Sequence, residues 1–170
     1  MNQKLNLILI IGSIAILAGI VVLAGAFSGN SQNSSSIYSN GVLTAENNDY
    51  DFGTISMANG NVSYKFKLKN EGNEKIIIKK VYTSCMCTTA AILDESGKKL
   101  GDFGMPGHGG SSSAANIEVK NNESIVVEAV FDPTAHGPAG TGLAQRSVYI
   151  ETNSQKSPKV ELNFTATVTQ

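Results

Sequence analysis

The sequence predicts an all-β protein, an antiparallel sandwich of about seven strands that follows one N-terminal membrane-spanning helix. Three observations support this prediction. Several short runs alternate apolar and polar residues, turn-forming residues recur roughly every 8–12 residues, and a long apolar run occupies the first part of the chain. No window after the apolar run has the periodicity of an amphipathic helix, so we expect the rest of the fold to be built from strands.

Two runs show the alternation most clearly. From Val62 to Lys69, apolar residues occupy one face of the predicted strand, and one serine and three lysines occupy the other. The run from Lys159 to Val168 repeats this pattern, with five apolar residues on the inward face. Four further strands are predicted at Asp51–Ile55, Lys75–Thr83, Ser124–Phe131 and Arg146–Glu151.

The apolar run extends almost without interruption from Leu7 to Phe27. A helix of about 20 such residues spans the hydrocarbon core of a bilayer. Because Lys4 precedes the run and the next basic residue is Lys65, the positive-inside rule predicts a cytoplasmic N-terminus and an exported remainder. The alternative is a signal peptide cleaved after Ala26, which would leave the remainder secreted or periplasmic.

Three segments follow from these patterns. Residues 1–27 are the predicted membrane anchor or signal segment. Residues 28–48 are rich in serine and asparagine, which favours a flexible linker. Residues 49–170 are the predicted sandwich, which lies outside the cytoplasm whether the anchor is kept or cleaved.

Composition excludes several classes of protein. The chain has 13 Lys and Arg against 14 Asp and Glu, a formal net charge of −1, so it lacks the basic excess of a nucleic-acid-binding protein. It has no tryptophan, and its two cysteines lie two residues apart, so they cannot form the cross-sheet disulfide of an antibody domain. Neither an HExxH nor a GxSxG motif is present. We therefore expect no enzymatic activity and no cofactor.

The motif Cys85-Met-Cys87 is the sharpest chemical feature. On an extended strand, residues i and i+2 share a face with α-carbons about 6.5–7 Å apart, whereas a disulfide prefers about 4.4–6.8 Å. A bridge would therefore require a bent backbone. Three interpretations stay open: a structural pair or tight disulfide, a soft-metal site, and a thiol–disulfide exchange site.

Two irregular segments, residues 94–116 and 132–142, are rich in glycine, and long loops of this kind are usually functional or disordered. If both fold back onto the cysteines, their side chains complete a site for Cu(I) or another soft metal. The candidate metal ligands are Cys85, Cys87, Met105, His108 and His136. A weaker alternative is an enzyme whose site lies between the two loops.

Five short motifs occur in order: Asp51-Phe-Gly-Thr-Ile55, Phe66–Gly72, Ser84-Cys-Met-Cys-Thr-Thr89, Phe131-Asp-Pro133 and Thr152-Asn153. Together they resemble the bacterial family called domain of unknown function 1573, over residues 46–168. Met86 stands where the family usually has glycine. The resemblance implies an exported immunoglobulin-like sandwich, similar to major sperm protein and ASH-type domains, with a binding or scaffolding role.

We therefore expect a membrane-anchored, exported immunoglobulin-like module with a non-enzymatic binding or structural role in the cell envelope. Its expected partners are the membrane, through residues 7–27, and a protein of the envelope, with no nucleic acid. The alternative is a soft-metal or thiol-redox protein built on Cys85 and Cys87.

Overall fold

The computed structural model describes residues 38–108 and 112–170. Across these ranges the chain forms β-strands and no α-helix, with two short 3-10 turns at Met57–Asn59 and Gly137–Gly140. None of the described segments contains a helix long and apolar enough to cross a membrane. The predicted anchor, residues 7–27, and the first part of the predicted linker lie outside the described residues.

Within the described ranges, ten strands build two packed sheets. In chain order they are β1 (Leu43–Ala45), β2 (Asp49–Ser56), β3 (Val62–Asn70), β4 (Ile76–Thr83), β5 (Thr88–Asp94), β6 (Lys99–Phe103), β7 (Ala114–Val119), β8 (Ser124–Phe131), β9 (Gly142–Thr152) and β10 (Lys159–Thr169). The first sheet has the order β1-β3-β8-β5-β6, and the second has the order β2-β10-β9-β4-β7. The predicted all-β sandwich is confirmed.

The strand number differs from the expected seven because four strands, β1, β5, β6 and β7, lie where the sequence predicted none. β1 falls in the predicted linker, β5 directly follows the cysteine motif, and β6 and the first half of β7 fall in the predicted loop 94–116. β1 has only three residues, which is too short for an alternation to show. β7 contains Asn116 with a φ of 51°, and the register of its pairing with β4 shifts, so its alternation is broken.

Residues 38–48 also differ from the predicted flexible linker of residues 28–48. Leu43 is 2% exposed and belongs to the core. The Ser39 hydroxyl donates a hydrogen bond to the Lys75 carbonyl oxygen at 2.7 Å. The Ser154 hydroxyl donates one to the carbonyl oxygen of Gly41. Serine-rich composition predicted a solvated chain, whereas here the small polar side chains satisfy backbone groups of the sandwich.

One pairing is parallel, in contrast to the antiparallel sandwich expected from the sequence. β2 runs parallel to β10, with Asp49 opposite Asn163 and Ser56 opposite Thr169. The register shifts between Thr165 and Thr167, opposite Gly53, whose φ of 66° suits a bulge. Alternation alone could not reveal this direction, because it reports which face a residue occupies and not the direction of the neighbouring strand.

An aromatic cluster joins the two sheets. Phe164 of β10 lies 5.5 Å from both Phe52 of β2 and Phe131 of β8, measured between ring centroids. Phe66 and Phe164 are each 1% exposed, as their alternating strands predicted. The remaining predicted inward residues of β10 are also buried: Val160, Leu162, Ala166 and Val168.

Candidate functional site: the cysteine turn

Residues Ser84–Cys87, here called the cysteine turn, connect β4 of the second sheet to β5 of the first. The extended geometry considered for Cys85 and Cys87 does not hold, because β4 ends at Thr83 and the chain must reverse to cross between the sheets. The Thr88 N–H donates to the Cys85 carbonyl oxygen at 3.1 Å, which closes the turn. The two cysteine α-carbons are consequently 5.3 Å apart, within the range that a disulfide prefers.

Buried polar side chains hold this turn in place. The Thr83 hydroxyl lies 3.0 Å from the Cys85 carbonyl oxygen and 2.9 Å from that of Thr88. On the other side, the Ser84 N–H donates to the Ser147 carbonyl oxygen at 3.0 Å, and the Ser147 N–H donates to the Ser84 hydroxyl at 2.9 Å. The turn is therefore fixed to β9 as well as to its two flanking strands.

Cys85 and Cys87 form a disulfide. The two sulfurs differ in accessibility, because Cys87 is 3% exposed whereas Cys85 is half-buried. Met86, between them, is 51% exposed. Of the interpretations left open by the sequence, the structure contains the tight disulfide, and in this state neither sulfur offers a thiolate to a metal.

His136 lies beside the more accessible sulfur. Its Nε2 atom is 3.2 Å from Cys85 Sγ, and the residue precedes the 3-10 turn Gly137–Gly140 within the irregular segment 132–142. The ligand atoms of Cys85, Cys87 and His136 all lie within 4.8 Å of one another. The structure thus brings together three of the five candidate ligands.

His108 does not join this group in the described part of the chain, and Met105 lies three residues before it in the same loop. Their segment starts near the cysteine turn, because the Gly104 carbonyl oxygen accepts a hydrogen bond from the Thr83 N–H at 3.3 Å. The His108 N–H then donates to the Met105 carbonyl oxygen at 3.2 Å, which forms a local turn. His108 is exposed, and its ring is not among the grouped ligand atoms.

Arg146 contacts the buried sulfur, and the sequence reasoning missed it. Its Nε atom donates a hydrogen bond to Cys87 Sγ at 3.0 Å, and its guanidinium lies 5.8 Å from the Phe131 ring centroid. A signal for this residue existed in the sequence. Arg146 alternates with Val148 and Ile150 on β9, so a charged side chain occupies the inward row of a strand that is otherwise apolar.

The charge of Arg146 is only partly compensated. Burial lowers the pKa of Arg146 below its ordinary value, although arginine stays protonated in proteins. Its Nη1 atom donates to the Gln145 carbonyl oxygen at 2.8 Å. Within residues 38–108 and 112–170, no carboxylate forms an ion pair with it. A half-buried cation therefore faces the sulfur of Cys87.

Two tyrosines face outward on the second sheet near the cysteine turn. Tyr82 of β4 lies opposite Tyr149 of β9, with ring centroids 5.0 Å apart, and Lys159 Nζ lies 4.0 Å from the Tyr149 centroid. The Tyr82 hydroxyl donates to Glu151 at 3.1 Å, and burial together with this carboxylate raises the pKa of Tyr82. Tyr82, Tyr149 and Lys159 are called the tyrosine surface below.

A depression of about 500 Å³ borders both Tyr149 of the tyrosine surface and Ser84 of the cysteine turn. Its lining includes Ser84, Arg146 and Tyr149. A molecule that contacts the tyrosine surface would therefore also lie near the cysteine turn.

Residues 43–100 match the DUF1573 family model, which is described as a protein of unknown function. The matched segment runs from β1 into β6 and includes the cysteine turn, so the predicted family resemblance is confirmed there. The motifs at Phe131-Asp-Pro133 and Thr152-Asn153 lie beyond it. No curated protein sequence matches the chain.

Among solved structures similar to this chain at low identity, one shares the sandwich with a TM-score above 0.5. A protein of unknown function from Porphyromonas gingivalis W83 superposes with a TM-score of 0.55 and 14% identity, over 81% of this chain and 51% of that one. An ASH/PapD-like domain of human CEP192 gives 0.46 and 12%, over 83% and 93%. The secreted protease VesC from Vibrio cholerae gives 0.46 and 15%, over 74% and 23%. The chain thus spans about half of the Porphyromonas protein, and that likeness shows the fold alone.

Proposed function

We propose that this chain is a membrane-anchored, exported immunoglobulin-like module that binds a protein partner in the cell envelope and catalyses no reaction in doing so. The tyrosine surface is the observation that carries this proposal. It is a pair of half-buried aromatic rings bordered by the charged side chains of Glu151 and Lys159.

Tyrosine is well suited to such a surface. Its ring offers apolar contact area, its hydroxyl satisfies hydrogen bonds, and its two side-chain torsions cost little entropy to order. Lys159 on one ring and Glu151 at the hydroxyl of the other add charges of both signs. These charges favour an oriented protein contact, because complementary charges fix the register of two docking surfaces.

The proposed location rests on the sequence, with support from the cysteines. The apolar run at residues 7–27 and the absence of basic residues after it until Lys65 favour an exported domain. A disulfide within the domain is in keeping with an oxidising compartment, since cytosolic reductants keep most thiols reduced.

We expect site-specific photo-crosslinking to detect the partner. A photoreactive phenylalanine analogue at Tyr149, in the full-length chain in cells that make it, should give one defined protein adduct. The additional substitution Tyr82→Ala should reduce its yield at least about tenfold, as expected for an aromatic contact worth 1.4 kcal/mol or more.

The matched control places the same analogue at Lys67, which is exposed on the outer face of the first sheet. This position should give no adduct of that mass. Equal yields at both positions, or a yield at Tyr149 that Tyr82→Ala leaves unchanged, would show that the tyrosine surface is not a docking site.

A second candidate function is soft-metal binding by the reduced protein. The specific support is the grouping of Cys85, Cys87 and His136 within 4.8 Å, because thiolates with an imidazole suit Cu(I). In an anaerobic Cu(I) titration of the reduced full-length chain against a competing chelator, we expect one bound ion. The Cys85→Ser, Cys87→Ser double variant should lose it, and His136→Ala should weaken it.

His108→Ala is the matched control for this titration, because His108 lies outside the grouped side chains. Its affinity for Cu(I) should equal that of the unmodified chain. Retained binding in the double cysteine variant would place the ion elsewhere and remove this candidate.

A further inference from the structure

We propose that the cysteine turn is a thiol–disulfide exchange centre, in which Cys85 receives the incoming thiol and Cys87 is the leaving sulfur paired with Arg146. This activity goes beyond the binding role, and its failure would leave that role untouched.

The disulfide contributes little to the stability of the fold, so stabilisation does not explain its presence. A disulfide stabilises a fold chiefly by constraining the unfolded chain, and this effect grows with the length of the loop that it closes. Cys85 and Cys87 are only two residues apart. The neighbouring strands are already held by the Thr83 hydroxyl and by the paired hydrogen bonds between Ser84 and Ser147.

Unequal burial selects the sulfur that can be attacked. Cys87 is 3% exposed, so an external thiolate has little access to its sulfur. Cys85 is half-buried and lies next to the exposed Met86. The rate of thiol–disulfide exchange depends on access to the attacked sulfur, so the burial pattern directs attack to Cys85.

Arg146 lies next to Cys87 Sγ, the atom that becomes negatively charged when the disulfide is reduced. When the disulfide breaks, Cys87 Sγ changes from a neutral sulfur to a thiolate, and the Arg146 Nε–H already points at it from 3.0 Å. The hydrogen bond then becomes charge-assisted in a half-buried site, where electrostatic attraction is stronger than in water. The Thr88 hydroxyl, 3.8 Å from the same sulfur, is a second available donor. These contacts favour the reduced form.

The exchange balances with a dithiol as the named co-reactant. One thiolate of the dithiol attacks Cys85 Sγ, a bond forms between these two sulfurs, and the electron pair of the Cys85–Cys87 bond leaves on Cys87. The second thiolate of the co-reactant then attacks the first co-reactant sulfur, which is bonded to Cys85 Sγ in this mixed disulfide. This step closes the co-reactant's disulfide and releases Cys85 as a thiolate. The co-reactant is oxidised to a disulfide by two electrons and the cysteine turn is reduced. The protons of the two original thiols pass to solvent. His136 lies beside the attacked sulfur, with its Nε2 atom 3.2 Å from Cys85 Sγ.

The first test measures the equilibrium between disulfide and dithiol in glutathione buffers, with the full-length chain. Arg146→Gln removes the charge, and we expect it to shift the equilibrium toward the disulfide about tenfold, which corresponds to about 30 mV for this two-electron couple. Arg146→Lys keeps a charge, so its equilibrium between disulfide and dithiol should fall between those of Arg146→Gln and the unmodified chain. Lys67→Gln removes a distant exposed charge and should have no effect.

A shift in Arg146→Gln no larger than that of Lys67→Gln would overturn the role of Arg146. Circular dichroism of each variant confirms that the sandwich is folded. If Arg146→Gln fails to fold, Arg146→Met, which keeps a long side chain without its charge, carries the test, and a potential equal to that of the unmodified chain would then overturn the role.

The second test compares the access of the two sulfurs, because that access decides which of them an external thiol can reach. In Cys87→Ser, the remaining Cys85 thiol should form a mixed disulfide with oxidised glutathione at least about tenfold faster than the Cys87 thiol does in Cys85→Ser, as expected from their access. Mass spectrometry of acid-quenched samples gives both rates. Equal rates, or faster reaction at Cys87, would overturn the assignment of Cys85 as the attacked sulfur.

Discussion

Asn70→Ala should lower the free energy of unfolding by about 3–5 kcal/mol, an unusually large loss for a polar residue. Asn70 is completely buried at the end of β3. Its Oδ1 atom accepts hydrogen bonds from the backbone N–H groups of Val42 at 3.2 Å and Gly72 at 3.0 Å. Its Nδ2 atom lies within 3.1 Å of three carbonyl oxygens, which belong to Glu74, Val119 and Lys120.

Alanine at this position would leave several of those backbone groups unpaired. Each unpaired buried group costs about 1–3 kcal/mol, because water cannot reach it. Urea unfolding of the full-length chain measures the loss. The matched control is Asn121→Ala, whose exposed amide makes one hydrogen bond to the Asn73 carbonyl oxygen and should cost less than about 0.5 kcal/mol. A loss below about 1.5 kcal/mol for Asn70→Ala would mean that the surrounding backbone finds other partners.

Phe164→Ala should cost a similar amount, about 3–5 kcal/mol, for a different reason. The Phe164 ring is 1% exposed and packs against Phe52 of its own sheet and Phe131 of the opposite sheet. Its removal would lose apolar burial and leave a cavity that two rigid sheets cannot close. The measurement is again the midpoint and slope of urea unfolding.

Leu143→Ala is the control for Phe164→Ala. Leu143 lies on the adjoining strand β9 but is 71% exposed, so its truncation should change stability by no more than about 0.5 kcal/mol. If both variants lost the same free energy, the aromatic cluster would not be the packing centre of the sandwich.

The sequence was informative where burial imposes a period of two. The alternation of residues 62–69 and 159–168 predicted β3 and β10, and Ser124–Phe131 coincides with β8. It could not predict β1, because three residues carry no measurable period. It also could not predict the order of strands in each sheet, since pairing depends on contacts between segments far apart in the chain.

The cysteine turn shows the same limit. Residue chemistry identified Cys85, Cys87 and His136, and the structure brings these three together. The sequence alone could not distinguish an extended from a bent backbone at Cys85. The backbone conformation there depends on the residue at which β4 ends and the chain crosses to the other sheet. Arg146 could have been identified from the sequence, since its place in the inward row of β9 follows from alternation alone. The role of Met105 as a ligand stays a prediction, whereas the His108 ring lies outside the grouped ligand atoms of the described residues.

The parallel pairing of β2 with β10 has a mechanical consequence. The start of β2 at Asp49 lies beside Asn163, whereas the end of β10 at Thr169 lies beside Ser56, at the opposite end of the paired strands. A force that draws the start of β2 away from the end of β10 would load all hydrogen bonds between the two strands in shear, so they would have to break together. A sandwich pulled in this direction would resist extension more strongly than one whose terminal strands peel apart bond by bond.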